Sequence, residues 1–318
     1  MFGTLRGGLT AVLTAAAAAC GVVVVAPAPA LAATPTFDKL VAYVRDGDVW
    51  VSRGAAEQRV TTGGGHRRPR WSPDHRRLAV LKGDRVYVMN ADGSGRRLVT
   101  DRAVSGAAWS PDGVTLAVAS TSCVGTPGVF ALPAAGGALR PLFPASCRDQ
   151  EIPPAAVGRT VGTLADRLRR DDALAWSPDG ARIAFRGGDC ESILDDCLTL
   201  GTVATGGERL LAGFGGGGQE ASGFAVTPAF SPDGAALAYT AWVDGPVAAM
   251  DRPVHVAAQD LATGAVRGYG APLDREPVYV DAHRMLLTGQ HGTGSWIVAV
   301  DTRTGDRQVF HAGSQAAY

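Results

Sequence analysis

Lysine is almost missing from this chain of 318 residues: Lys39 and Lys82 are the only two, so 28 of the 30 basic side chains are arginine. Excess charge of either sign is missing too, because 30 acidic groups balance the 30 basic ones and only 19% of residues are charged. A neutral chain offers neither the cationic groove that gathers nucleic acid nor the basic surface that holds a protein to an anionic membrane. Catalytic signatures are also scarce. No serine stands in G-x-S-x-G, which excludes the nucleophile elbow of an α/β-hydrolase, and H-E-x-x-H, the phosphate-binding P-loop and the EF-hand loop do not occur. Gly213 to Gly218 satisfies G-x-G-x-x-G formally but opens no helical pattern, so it reads as a glycine run. Long helical periods are few. What is present is 46% apolar residues punctuated by 42 glycines and 19 prolines, the composition of many short strands joined by tight turns.

Arg6 is the only charge before Asp38, Leu9 to Val25 is apolar, and Pro27 and Pro29 precede the small-residue stretch Ala30-Leu31-Ala32-Ala33. This is the layout of a secretory signal peptide over 1–33. An uncleaved anchor or lipidation at Cys20 would be alternative uses of the same segment. The expected mature chain, 34–318, carries one positive charge fewer, and no transmembrane segment is expected in it. It retains Cys123, Cys147, Cys190 and Cys197. Four cysteines in an exported chain imply disulfides, with three pairings open to them.

A repeat decides the architecture. Trp71-Ser72-Pro73-Asp74-His75, Trp109-Ser110-Pro111-Asp112-Gly113, Trp176-Ser177-Pro178-Asp179-Gly180 and Phe230-Ser231-Pro232-Asp233-Gly234 are each followed by Leu-Ala or Ile-Ala at the same offset. A fifth copy, Tyr279 to Leu287, keeps the aromatic, His283 and Leu286 but not Ser-Pro-Asp. Proline presets the first central turn position, aspartate bonds nearby amides, and glycine takes the left-handed position, which His75 and His283 are expected to fill in its place. A third and a fourth strand follow each hairpin, and four antiparallel strands make a blade that buries its faces only by stacking around an axis. The first blade lacks its opening strand, and Gln315 to Tyr318 is expected to supply it by pairing with Leu40 to Arg45. The fold expected is therefore all-β, a six-bladed propeller of four-stranded blades in one domain, with an insertion at about 143–171.

The repeat resembles the TolB-like family of β-propellers, marked by this aromatic-Ser-Pro-Asp-Gly hairpin, over nearly the whole mature chain. The resemblance implies an exported, non-catalytic protein that binds a protein or peptide partner in the cell envelope or outside the cell. A monomer with no cofactor and no nucleic-acid partner is expected. The alternative is a metal-dependent lyase or hydrolase using the same surface.

Strand direction puts every long excursion on one rim: Ser120 to Gly128, Phe143 to Asp171, Gly187 to Leu198, Ala212 to Gly223 and Trp242 to Arg252. This mouth of the central channel is the expected working face. All four mature cysteines fall there, so bridges 123 to 147 and 190 to 197 are expected. Val157 to Arg170, with Val157, Val161, Leu164 and Leu168 on one stripe, reads as a short helix, either over the mouth or covering a blade edge. His66, Arg67, Arg68 and Arg70, then Asp172, Arg275 and Glu276, and also His291, are the candidate binding residues at the channel entrance, where arginines can hold carboxylate or phosphate. His66, His291 and His311, with Gln290 beside one of them, are the candidate metal ligands, because propeller lyases in the wider group use a histidine-glutamine site. His255 is expected to be packed. The acidic loop Asp189 to Asp196 is expected to be exposed, with calcium binding as its alternative.

Overall fold

The structure, a computed structural model, describes residues 34–155, 162–215, 223–243 and 254–318. The leader with Cys20 and the Val157 to Val161 part of the expected helix lie outside the described residues. Among the described residues, six four-stranded antiparallel sheets stand in a ring as the blades of a propeller. The channel-side strands of the second to sixth blades are His66–Trp71, Gly106–Trp109, Ala175–Trp176, Gly223–Phe230 and Arg275–Tyr279. The channel-side strand of the first blade is Ser314–Ala317, which pairs antiparallel with Val41–Arg45 through Ala42 with Ala317 and Val44 with Ser314. The tail thus closes the ring, as the missing opening strand requires.

Each Ser-Pro-Asp turn is wired by its own side chains. Ser72 Oγ donates to Asp74 Oδ1 at 2.6 Å and accepts from the Arg77 N–H at 3.0 Å, while Asp74 Oδ1 accepts from the Arg76 N–H. The serine to aspartate bond recurs at Ser110, Ser177 and Ser231. The position after the aspartate is left-handed, with φ 55° at His75, 70° at Gly113 and Gly234 and 74° at Gly180. His75 also stacks its ring on Trp71, with centroids 5.2 Å apart. His283 departs from the expectation. Its backbone is not left-handed, because the fifth hairpin turns one residue sooner: the Val280 N–H bonds to the Arg284 carbonyl, and Asp281 Oδ1 takes the His283 N–H.

The core is a set of six apolar layers, one between each pair of neighbouring blades. Between the third and fourth blades, for example, Phe143 and Phe185 stack with ring centroids 5.0 Å apart. Arginines staple the layers from the turn side. Arg77 lies over the Trp109 ring and donates to the Gly113 carbonyl of the next blade, and Arg182 repeats this with Phe230 and Gly234.

Both expected disulfides are present, Cys123 to Cys147 and Cys190 to Cys197. The insertion carries a short helix, α1 (Leu164–Arg169), opened by a capping box between Thr163 and Asp166. Its Leu168 is buried, and with Leu164 it packs on Phe224, Val226 and Val254 of the fifth blade. No helix among the described residues is long and apolar enough to cross a membrane.

Candidate functional site

The channel-side strands of four blades do not run straight. Their pairing slips between Arg67 and Arg70, between Val226 and Ala229, between Arg275 and Val278, and in the first blade opposite Ala42 and Val44. At each slip one residue is left-handed: Arg68 at φ 53°, Thr227 at 54°, Glu276 at 56° and Gln315 at 59°. A bulge re-aims a side chain and costs backbone strain, and here it sets four polar residues around the axis.

These residues bond to one another across blade boundaries. The Arg68 guanidinium contacts Glu276 of the sixth blade at 2.9 Å and also Asp171 in front of the fourth blade. Thr288 Oγ1 donates to Glu276 Oε2 at 2.6 Å, and the Gln315 N–H reaches the same oxygen at 3.2 Å. The Arg68 N–H donates to Gln315 Oε1 at 2.8 Å. Thr240 Oγ1 accepts the Glu276 N–H and bonds Thr227 Oγ1 at 2.6 Å. Arg68 and Glu276 are 4% and 7% exposed, so this ion triad plugs the channel and floors whatever opens above it. Burial pushes the Glu276 carboxyl up, but Arg68 and Arg275, with the Thr288 bond, outweigh burial and hold it below its ordinary range.

Above the floor is a cavity of about 970 Å³ on the loop-bearing rim. Its wall carries six arginines, Arg67, Arg68, Arg167, Arg170, Arg186 and Arg275. Four carboxylates, Asp84, Asp171, Asp172 and Glu276, share that wall. Arg186 grips Asp172 Oδ1 through Nε at 2.8 Å and through a terminal nitrogen at 2.6 Å. Arg67 donates to the Ser105 and Gly83 carbonyls, and Arg275 to the Leu273 carbonyl and Ser295 Oγ. Burial, with Arg68 nearby, lowers Arg67 to about 10 against the pull of Asp172 and Asp84. Helix α1 borders the cavity through Leu164, Arg167 and Leu168, and the same two leucines pack it on the fifth blade.

Five of the candidate binding residues, Arg67, Arg68, Asp172, Arg275 and Glu276, line this cavity. Arg70 lies outside the wall, with one terminal N–H on the Pro69 carbonyl and burial, then Arg68, lowering it to about 10. His66 is buried, its Nδ1 3.0 Å from Asp48 Oδ1. His311 sets Nε2 against the Gly54 carbonyl and Nδ1 against Glu57. His291 is exposed, its ring edge-on to Trp296. The three histidines are not brought together, and among the described residues no group of three or more His, Cys, Asp or Glu is placed to hold a metal ion.

The acidic loop also differs from its expectation. Asp189 and Asp195 are exposed, but Asp196 is buried, because it opens the strand Asp196–Thr202 beneath the Cys190 to Cys197 bridge. Neither of its carboxyl oxygens has a hydrogen-bond partner. Burial carries its pKa to about 7, Arg186 opposing and Glu191 and Asp172 adding.

Asp171, Gln315 and Thr288 were not among the residues expected at the site. A signal for the bulges was there: Pro69, Pro228 and Pro277 each stand two residues before a channel-side aromatic, directly after the left-handed residue. Proline cannot donate to a sheet ladder, so it marks the slip.

No family model and no curated protein matches the chain. Solved structures do. TolB from Acinetobacter baumannii superposes with a TM-score of 0.64 at 17% identity over 89% of this chain and 67% of its own. A TolB from Agrobacterium tumefaciens gives 0.58 at 16% identity over 82% and 87%. An oligogalacturonate lyase from Vibrio parahaemolyticus gives 0.51 at 12% identity over 83% and 71%. At these identities the likeness is one of fold, shared by proteins that are enzymes and proteins that are not. Together with the ring of six blades it identifies the chain as a six-bladed β-propeller of the TolB-like fold.

Proposed function

We propose that this is an exported, non-catalytic propeller that receives a protein or peptide partner at the loop-bearing mouth of its channel. Two disulfides suit a compartment outside the reducing cytoplasm. The observation that carries the reading is the build of the rim. The loops between the second and third strands of the third and fourth blades are each tied by a disulfide, and each presents an aliphatic side chain to solvent: Val124, 61% exposed, and Ile193, 76% exposed. They stand on neighbouring blades, and Gly125, Thr126 and Pro127 of the first loop line the cavity itself. Fastened apolar tips beside a charged concavity are the components of a recognition surface: ordering them on binding costs little entropy, and they supply contact area that a polar rim lacks.

The floor supports the same reading. Arg68, Asp171, Glu276, Arg186 and Asp172 satisfy one another, an arrangement that holds shape and leaves none of them poised as an acid or base. The metal-dependent alternative loses its ligand set, since His66 and His311 have other partners and His291 stands apart. In the test, the chain bearing Val124→Asp and Ile193→Asp is compared with wild type as bait for envelope proteins of the source cell. A protein held by wild type and released by the double variant is expected. A partner held equally by both, or turnover of a substrate at the mouth, would overturn the proposal.

A further inference from the structure

We infer that the occupant of the mouth is an acidic peptide segment, its carboxylates taken by Arg67 and Arg275; this rests on the partner reading above. The inference comes from accounting for the charges in the cavity wall. Arg68 takes up Asp171 and Glu276, Arg186 takes up Asp172, and Asp84 pairs outward with Arg85 at 3.1 Å. All four carboxylates of the wall are thereby engaged, and two buried or half-buried cations remain, Arg67 near Asp172 and Asp84 and Arg275 near Glu276, that spend their own hydrogen bonds on neutral oxygens. Arg67 rests on two main-chain carbonyls, at 3.1 and 3.0 Å. Arg275, only 8% exposed, rests on the Leu273 carbonyl at 3.0 Å and Ser295 Oγ at 2.9 Å.

A guanidinium carries five N–H donors, and each of these uses two, so each keeps donors for a ligand while its plane is already fixed. Holding two cations in a partly desolvated wall with no carboxylate bonded to either costs stability, and that cost is recovered when an anion arrives. The two arginines stand on the second and sixth blades, on either side of Ser314 and Gln315 of the first blade, which also line the cavity. A chain with carboxylates spaced along it can meet both positions, and the exposed aliphatic tips Val124 and Ile193 favour a chain that also bears apolar side chains, hence a peptide over an acidic saccharide.

The test is a selection from a random peptide library against the whole mature chain, run in parallel on wild type and on Arg67→Gln with Arg275→Gln. Glutamine keeps a polar donor in the wall without the charge, and a melting point no lower than that of wild type verifies the variant's fold. Peptides selected by wild type are expected to be rich in Asp and Glu beside aliphatic residues, and to bind the variant at least about ten-fold more weakly. Their affinity is expected to fall steeply with salt. Arg67→Lys with Arg275→Lys, which keeps the charge but not the fork, is expected to fall between the two. Selected peptides without acidic enrichment, or acidic ones that bind the glutamine variant undiminished, overturn the ligand class while leaving peptide binding intact. If no peptide is selected and oligogalacturonate binds instead, the partner reading falls as well.

Discussion

Arg68→Met is the most informative single change. It removes the cation shared by Asp171 and Glu276, whose side chains are 12% and 7% exposed, and leaves two carboxylates facing each other with little water. Breaking a buried pair from one side costs about 3–5 kcal/mol. With an unfolding entropy of about 2.1 cal/mol/K per residue, a unit of this size loses roughly 2 °C per kcal/mol, so a melting point about 6–10 °C lower is expected by calorimetry. Adding Glu276→Gln should restore part of the loss, because the amide oxygen can still accept from Thr288 and the Gln315 N–H while the orphaned charge is gone. The effect of pH has a definite sign. In wild type Glu276 is held below its unfolded pKa, so its contribution is present above the unfolded value and is lost as pH falls through the folded one. In Arg68→Met the same carboxyl is pushed up, so the gap between variant and wild type should narrow as pH falls toward the ordinary carboxylate range. Arg68→Gly is the backbone control: it relieves the left-handed φ of 53° and should melt slightly above Arg68→Met. A variant that melts with wild type across this pH range would refute the buried triad.

Deleting 314–318 removes the channel-side strand of the first blade and exposes Ala42, Tyr43 and Phe37, so the truncated chain should lose cooperative unfolding and bind a hydrophobic dye. Replacing Cys123 and Cys147 by alanine opens a loop with a sequence separation of 24 and should cost about 3 kcal/mol in a denaturant titration, with a steeper slope as the unfolded chain expands. Asp196, with a folded pKa near 7 against an unfolded value near 4, keeps its proton in the native state. Stability should therefore fall as pH rises from about 4 to about 7, by a few kcal/mol at most, and Asp196→Asn should flatten that slope, read as amide exchange around the Cys190 to Cys197 loop.

The blades were legible because their turns are self-contained. Serine, proline, aspartate and glycine in sequence determine the backbone, and the hydrogen bonds that enforce it are local, so four copies suffice to read the fold. Closure by the tail was legible for the opposite reason: a strand was missing at one end and a spare one stood at the other. The floor of the mouth was only partly readable. Arg67, Arg68, Arg275 and Glu276 could be placed at the entrance by counting back from the aromatics, yet the partnership of Arg68 with Asp171 spans the ring and has no signature in either neighbourhood. Bulges decided where Glu276 and Gln315 point, and the proline that marks three of them looks like any other proline until the ladder is drawn. His66 and His311 show the reverse failure. Strand counting set them toward the mouth, but Asp48 and Glu57, on the third and outer strands of the first blade, had already claimed them across the blade boundaries.

The first blade borrows its inner strand from the far end of the polypeptide. Until Ser314–Ala317 arrive, five finished blades surround a gap whose apolar wall includes Val41 and Tyr43. A chain that emerges from the ribosome amino end first therefore cannot lock its ring until Ser314–Ala317 are free to pair with Val41–Arg45.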